Sequence, residues 1–119
     1  MDPRLQRRVQ RYGWDKAAGS YEQFWSRQLS PAHQLLLEMA DLQTGETVLD
    51  VACGTGLISL PAARAIGGSG RLVGTDISGE MVLEARRHAA DRGLANAEFY
   101  RMDAERLSLD EDSFDIALC

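Results

Sequence analysis

The chain has 119 residues, of which 45% are hydrophobic and 26% charged, a balance typical of one soluble globular domain. Its formal net charge of −5 argues against a general nucleic-acid binder, and no apolar run approaches the ~20 residues that a membrane span requires. Two cysteines without a CxxC pair indicate neither a disulfide framework nor a metal site, and the N-terminus lacks a secretory signal, so a cytoplasmic protein is expected.

Residues 4–42 have a helical pattern. Breaks near Gly13, Gly19 and the Ser30–Pro31 pair predict two or three short helices. Four apolar residues recur at helical spacing and are expected to face a core: Leu35, Leu36, Met39 and Leu42.

The basic side chains give no strong signal of a site. Four of them recur at helical spacing near the N-terminus: Arg4, Arg7, Arg8 and Arg11. This spacing favours a solvated helix face, with a phosphate or membrane contact as the alternative. His33 and His88 are isolated from other ligand-type residues, so we expect ordinary helix or surface positions for both.

From residue 45 onward, strand and helix patterns alternate. Strands are predicted over residues 47–52, 71–75, 98–102 and 114–119, and a turn or short helix over 104–107. One helix is predicted over 57–66, with Pro61 acceptable only in its first turn, and another from an N-cap at Ser78 to Gly93. This alternation predicts an α/β fold with a parallel sheet.

The predicted fourth strand has no covering helix after it, although a parallel strand favours burial on both faces. We therefore expect a chain truncated after this strand, or another molecule covering the edge. The expected division is a helical cap over residues 1–44 and an incomplete, cofactor-binding α/β half over residues 45–119.

The stretch VLDVACGTG, residues 48–56, predicts a loop of small residues between a strand and a helix. A phosphate-binding NTPase loop is excluded because no GxxxxGK[ST] pattern is present. A dinucleotide loop would start at Gly54 and have Ser59 at its third glycine position, with Asp76 as the acid twenty residues beyond Gly56. S-adenosylmethionine, which has cationic groups and a ribose diol but no phosphate, also explains the acid Asp50.

Four stretches in order, VLDVACGTG, VGTDISGEM, RMDAERL and FDIALC, resemble the successive motifs of class I S-adenosylmethionine-dependent methyltransferases. The sequence looks most similar to the ubiquinone/menaquinone-biosynthesis type, and the resemblance covers about residues 45–119. It implies a Rossmann-like parallel sheet with N-terminal helices, and S-adenosylmethionine as the cofactor.

For the first motif, the resemblance implies that Asp50 lies near the methionine end of the cofactor, acting through water or the loop backbone. Gly54, Thr55 and Gly56 would let the loop pass close to the methionine and ribose. Ala52 replaces the family's commoner glycine, a change that is tolerated if its φ is negative.

For the later motifs, the resemblance implies contacts with the adenosyl group. Asp76 would accept both ribose hydroxyls, and Ile77 and Met81 would flank the adenine. Asp103 would accept from the adenine amino group, and the Ala104 N–H would reach a ring nitrogen. Three N-terminal aromatics lie where relatives cover the cofactor, and Tyr21 is taken as a contact: Tyr12, Trp14 and Tyr21.

The implied function is methyl transfer to a small-molecule acceptor, without a metal, a nucleic-acid partner or an assignable catalytic residue. A non-catalytic adenosyl-binding or assembly module, pairing with itself or with a partner along the fourth-strand edge, is the alternative. A nicotinamide-dependent oxidoreductase is a weaker one.

Overall fold

Four parallel strands form one sheet in the computed structural model, which describes residues 2–119. In chain order the strands are β1 (Thr47–Val51), β2 (Arg71–Asp76), β3 (Ala97–Arg101) and β4 (Ile116–Leu118). Helices α1 (Pro3–Ala17) and α2 (Tyr21–Ala40) precede the sheet, and α3 (Ser59–Ile66) and α4 (Gly79–Asp91) connect its strands. The predicted α/β class with a parallel sheet is confirmed.

The spatial order of the strands is β3-β2-β1-β4. The chain moves outward from β1 to β2 and β3, and then returns to place β4 on the other side of β1. Such a reversal creates a crevice at the carboxyl ends of the central strands, where open α/β sheets bind ligands. The loops after β1 and β2 are therefore the expected place for a site.

The helices between the strands follow their local signals. Ser78 caps α4, its side chain accepting a hydrogen bond from the Met81 N–H at 3.1 Å, and Gly93 adopts a φ of 65° just after the helix. Pro61 is the third residue of α3, where its missing N–H removes no helical hydrogen bond. Of the two possibilities predicted for residues 104–107, a turn or a short helix, the turn forms, with a bridge between Asp103 and Arg106.

The N-terminal region agrees with its prediction only in part. Two helices precede the sheet within residues 2–119, and Gly19 lies in the predicted break between them. The predicted breaks near Gly13 and Ser30–Pro31 are absent, because Gly13 lies inside α1 and α2 runs unbroken through Pro31. Of the four apolar residues expected to face a core, Leu36 and Leu42 pack against it, whereas Leu35 and Met39 are 57% and 75% exposed. The prediction that Leu35 and Met39 face a core was therefore wrong.

The core lies between the sheet and the helices that connect its strands. Val48, Leu72 and Phe99 come from three neighbouring strands and pack with Ile66 of α3 and Ala85 of α4. Gly74 makes this packing close: a Cβ there would lie 2.6 Å from the Phe99 ring. Burial of these side chains fixes the strand ends that shape the site.

No helix within residues 2–119 is long and apolar enough to cross a membrane. The expected division between residues 1–44 and 45–119 stays a prediction, although α1 and α2 do precede the sheet.

Candidate functional site

A pocket of about 300 Å³ opens at the carboxyl ends of β1, β2 and β3, under the N-terminal helices. Eleven residues line it: Trp14, Tyr21, Ala52, Gly54, Thr75, Asp76, Ile77, Met81, Met102, Asp103 and Ala104. Eight of the eleven residues predicted for the site lie in this lining. Chain positions more than 80 residues apart thus meet at the edge where the topology predicts a ligand.

Asp76 ends β2 and holds the pocket together. Its Oδ2 accepts a hydrogen bond from the Gly54 N–H at 2.9 Å, and its Oδ1 accepts from the Ser78 N–H at 2.9 Å. The residue is 9% exposed and borders the pocket. An ionised carboxylate has about four acceptor positions, so two remain available to a ligand's hydroxyl groups.

The loop after β1 uses left-handed backbone conformations at three positions. Gly54 has a φ of 56° and Gly56 a φ of 97°, values that glycine adopts without a steric penalty. A Cβ on Gly54 would meet nothing within 4 Å, so this glycine leaves open space for a ligand. Ala52 has a φ of 57°, so the condition stated for tolerating this alanine, a negative φ, is not met, and its backbone is strained.

Asp50 lies behind the loop instead of in the pocket lining. It is 3% exposed, and its Oδ2 accepts a 2.5 Å hydrogen bond from the Ser59 hydroxyl. Burial raises the pKa of Asp50 to about 6, the neighbouring Asp76 charge acts in the same direction, and the Ser59 hydrogen bond opposes both. Any influence of Asp50 on a ligand would pass through the loop, and its position at the methionine end stays a prediction.

Thr55 and Gly56, also predicted for the site, face the protein instead. The Thr55 hydroxyl lies 3.1 Å from Glu22 Oε1 of α2, and its carbonyl oxygen lies 3.0 Å from Nδ1 of His88 on α4. Gly56 packs against Leu60, whose Cγ would lie 3.3 Å from an added Cβ. Both residues shape the loop from its inner side.

His88 is therefore more than an isolated helix residue, which corrects the sequence interpretation. Its side chain is 14% exposed, with Nδ1 lying 3.2 Å from Glu22 Oε1 and Nε2 lying 3.7 Å from Glu84 Oε2. Together with the Thr55 contact, this places one imidazole between α2, α4 and the loop. A single-sequence pattern gives no signal for the contacts among Glu22, Thr55 and His88, because these residues are 33 or more positions apart.

The N-terminal helices close the pocket from above. Trp14 and Tyr21 both line it, with ring centroids 6.0 Å apart and planes at 78°, an edge-to-face pair. Asp15 fixes α1 to the start of α4, because its Oδ1 accepts from the Ser78 hydroxyl at 2.6 Å. That hydrogen bond is the main reason why the pKa of Asp15 lies below its usual value.

The stretch after β3 supplies the opposite wall. Asp103 accepts from the Glu105 N–H at 3.0 Å, and its Oδ2 lies 3.5 Å from Nε of Arg7 on α1. Three lining residues were absent from the predicted set: Trp14, Thr75 and Met102. Thr75 lies in β2 and Met102 directly follows β3, and each immediately precedes a predicted acid, which was the available signal.

Within residues 2–119, no group of three or more His, Cys, Asp or Glu side chains is arranged to hold a metal ion. Cys53 is buried, and burial raises the pKa of its thiol. The pocket thus offers carboxylates, backbone groups, methionine side chains and aromatic rings.

Residues 48–119 match the family described as a methyltransferase domain. Aklanonic acid methyltransferase DauC of Streptomyces sp. (strain C5) is 35% identical over 105 residues, 88% of this chain and 48% of that protein. Ubiquinone/menaquinone biosynthesis C-methyltransferase UbiE of Pseudomonas fluorescens (strain SBW25) is 33% identical over 102 residues, 85% of this chain and 37% of that protein. The chain spans about half the length of the first relative and less of the second.

A match of another kind is 23S rRNA (uracil(1939)-C(5))-methyltransferase RlmD of Acinetobacter baylyi (strain ATCC 33305 / BD413 / ADP1). It is 49% identical over 70 residues, which are 59% of this chain and 15% of that protein. Among solved structures, a SAM dependent methyltransferase from Aquifex aeolicus has a TM-score of 0.66 and 27% identity. That likeness covers 71% of this chain and 45% of the Aquifex chain.

Proposed function

Because the chain belongs to the family of methyltransferase domains, we propose that it is the S-adenosylmethionine-binding half of a class I methyltransferase. The predicted class, with its ubiquinone/menaquinone-type relatives, and the predicted Rossmann-like fold are confirmed. The methyl transfer performed by the whole protein, its acceptor and its partners belong to the proposal, as does a cytoplasmic location.

The observation that carries the proposal is the pocket at the reversal of strand order, bordered by Asp76. In the proposed complex the free acceptor positions of Asp76 take the two ribose hydroxyls, a charge-assisted contact. The hydrogen bonds from the Gly54 and Ser78 N–H groups hold that carboxylate in place. In this arrangement the ribose of an adenosyl group accounts for both Asp76 and the open space at Gly54, without NAD or a phosphate group.

Two further walls suit an adenine ring. Ile77 and Met81 are apolar, and Met81 is only 2% exposed, so it is fixed by its packing. Asp103 is the proposed acceptor for the adenine amino group, and the Ala104 N–H is the proposed donor to a ring nitrogen. The partners of Asp103 on the protein leave acceptor capacity on its carboxylate.

The methionine end of the cofactor would lie along the loop formed by Ala52 and Gly54. Trp14 and Tyr21 would cover it and exclude water. When bound, S-adenosylmethionine supplies an activated methyl group on a sulfonium whose thioether is a good leaving group. The residues of this chain would contribute binding, orientation and water exclusion.

A small-molecule acceptor is the favoured substrate class. The relative matched over 88% of this chain is named for aklanonic acid, and the net charge of −5 disfavours a long polyanion. The rRNA methyltransferase match keeps RNA as the competing acceptor class.

A non-catalytic adenosyl-binding module that assembles along β4 is the second candidate. Its support is that β4 pairs only with β1 within residues 2–119 and is an edge of the sheet. Sedimentation velocity separates the candidates, since edge pairing predicts a concentration-dependent dimer and the half-enzyme proposal does not require one.

The proposal is tested by calorimetric titration with S-adenosylhomocysteine, with NAD as the control ligand. We expect 1:1 binding of S-adenosylhomocysteine, no NAD binding, and affinity lowered about ten- to a hundredfold in Asp76→Asn. Asp91→Asn, at the exposed end of α4, is the matched control and should bind like the wild-type chain. Preferential NAD binding, or equal affinity in Asp76→Asn, would contradict the proposal.

A further inference from the structure

Five arginines line a second groove, of about 330 Å³, beside the pocket. Four come from one face of α1 and the fifth from the end of β3: Arg4, Arg7, Arg8, Arg11 and Arg101. This arginine groove shares Ile77, Met102 and Asp103 with the pocket. The α1 residues lie at the i, i+3, i+4, i+7 spacing of one helix face, and tertiary folding adds the arginine from β3.

The positive charge of the arginine groove is only partly neutralised. Arg7 forms ion pairs with Asp103 at 3.5 Å and Glu105 at 2.8 Å. By contrast, Arg4, Arg8 and Arg101 form no ion pair with any of residues 2–119. In a chain of net charge −5, cationic side chains are thus concentrated at one place.

Arg11 adds an unsatisfied donor. Its Nε is buried and has no hydrogen-bond partner among the described residues, and Asp15 Oδ2 lies 3.8 Å away, beyond hydrogen-bond distance. Asp15 is its ion-pair partner, and the Arg11 side chain as a whole is 37% exposed, so its guanidinium borders the groove. A guanidinium presents several donors in a plane, which matches the oxygens of a phosphate group.

We propose that the arginine groove binds the phosphate groups of a small phosphorylated ligand, next to the adenosyl pocket. The groove's volume suits a small molecule, and the acidic remainder of the chain repels an extended polyanion. The phosphate oxygens accept from Arg8, Arg11 and Arg101, while Arg7 keeps its ion pairs. Phosphate binding here does not depend on the proposed methyltransferase function.

The test is a calorimetric titration with sodium pyrophosphate, first without any adenosyl compound. We expect 1:1 binding that weakens as salt is added, because the arginines are exposed enough to be screened. The double variant Arg8→Gln/Arg101→Gln should bind about tenfold more weakly or worse. Arg92→Gln, an exposed arginine outside the groove, is the matched control and should bind as the wild-type chain does.

Two further arms identify the site and the ligand class. With S-adenosylhomocysteine present, pyrophosphate should still bind, because none of the five arginines of the groove lines the adenosyl pocket; competition between the two ligands would overturn the assignment to the arginine groove. A single-stranded RNA oligonucleotide should bind more weakly than pyrophosphate. Tighter RNA binding that is lost in the double variant would overturn the small-ligand proposal, as would no pyrophosphate binding or equal losses in the double variant and Arg92→Gln.

Discussion

Replacing Asp50 with asparagine should remove a pH dependence of stability that is built into the first strand. Asp50 is 3% exposed and is the fourth residue of β1, one residue before the strand ends. Its pKa is raised by burial from the usual 3.8 to about 6. Because the folded carboxyl binds its proton more tightly than the unfolded one, protonation favours the folded state.

The sign and size of the effect follow from the difference between the two pKa values of Asp50, 3.8 and about 6. The stabilisation linked to the Asp50 proton is fully present below pH 3.8 and is lost as pH rises towards about 6. At roughly 1.4 kcal/mol for each unit, the loss approaches about 3 kcal/mol. Because the Asp50 carboxyl is almost fully buried, solvent screening reduces this value only slightly.

Urea unfolding, followed by tryptophan fluorescence over this pH range, measures the effect. The unfolding free energy of Asp50→Asn relative to wild-type should rise by about 2 kcal/mol between pH 4 and pH 7, since part of the wild-type stabilisation is already lost at pH 4. Ser59→Ala removes the hydrogen bond that lowers the pKa of Asp50, so the wild-type transition should move to higher pH in that variant. If the unfolding free energies of Asp50→Asn and wild-type differed by the same amount at every pH, the reasoning would be refuted.

Two other substitutions test how the loop is held. Ala52→Gly relieves a left-handed φ of 57° and should raise the unfolding free energy by up to about 1 kcal/mol; a decrease, measured by urea unfolding, would show that the backbone is unstrained there. Thr55→Val keeps the side-chain shape but removes the donor to Glu22, and should cost about 1 kcal/mol in the same assay. Thr55→Ser retains the hydroxyl donor and is the control for Thr55→Val. Equal losses of unfolding free energy in the two variants would assign the effect to packing.

The strands and helices of the α/β region could be predicted from the sequence because their signals are local. Apolar stretches predicted β1 and β2, and Ser78 and Gly93 marked the ends of α4. Pro61 required that α3 begin no more than one turn before it, as it does at Ser59. Alternation then predicted parallel strands, since parallel neighbours need a crossover between them.

The same local rules failed where distant packing decides. Pro31 predicts a helix break, yet α2 continues through it. Met39 has the spacing of a core residue, yet it is 75% exposed, because periodicity identifies a face but not what covers it. Such errors concentrate in the N-terminal helices, whose positions depend on contacts with later residues such as the one between Asp15 and Ser78.

The sequence by itself determined the ordered motifs, the parallel α/β fold and most of the residues around the pocket, because all of these pocket residues except Tyr21 lie at or after a strand end that is marked locally. Only the tertiary structure decided that Asp50 lies behind the loop and that His88 joins the loop to two helices. It also brought Arg101 beside the arginines of α1. These arrangements join residues far apart in the chain, and packing, not local backbone preference, fixes which of them meet.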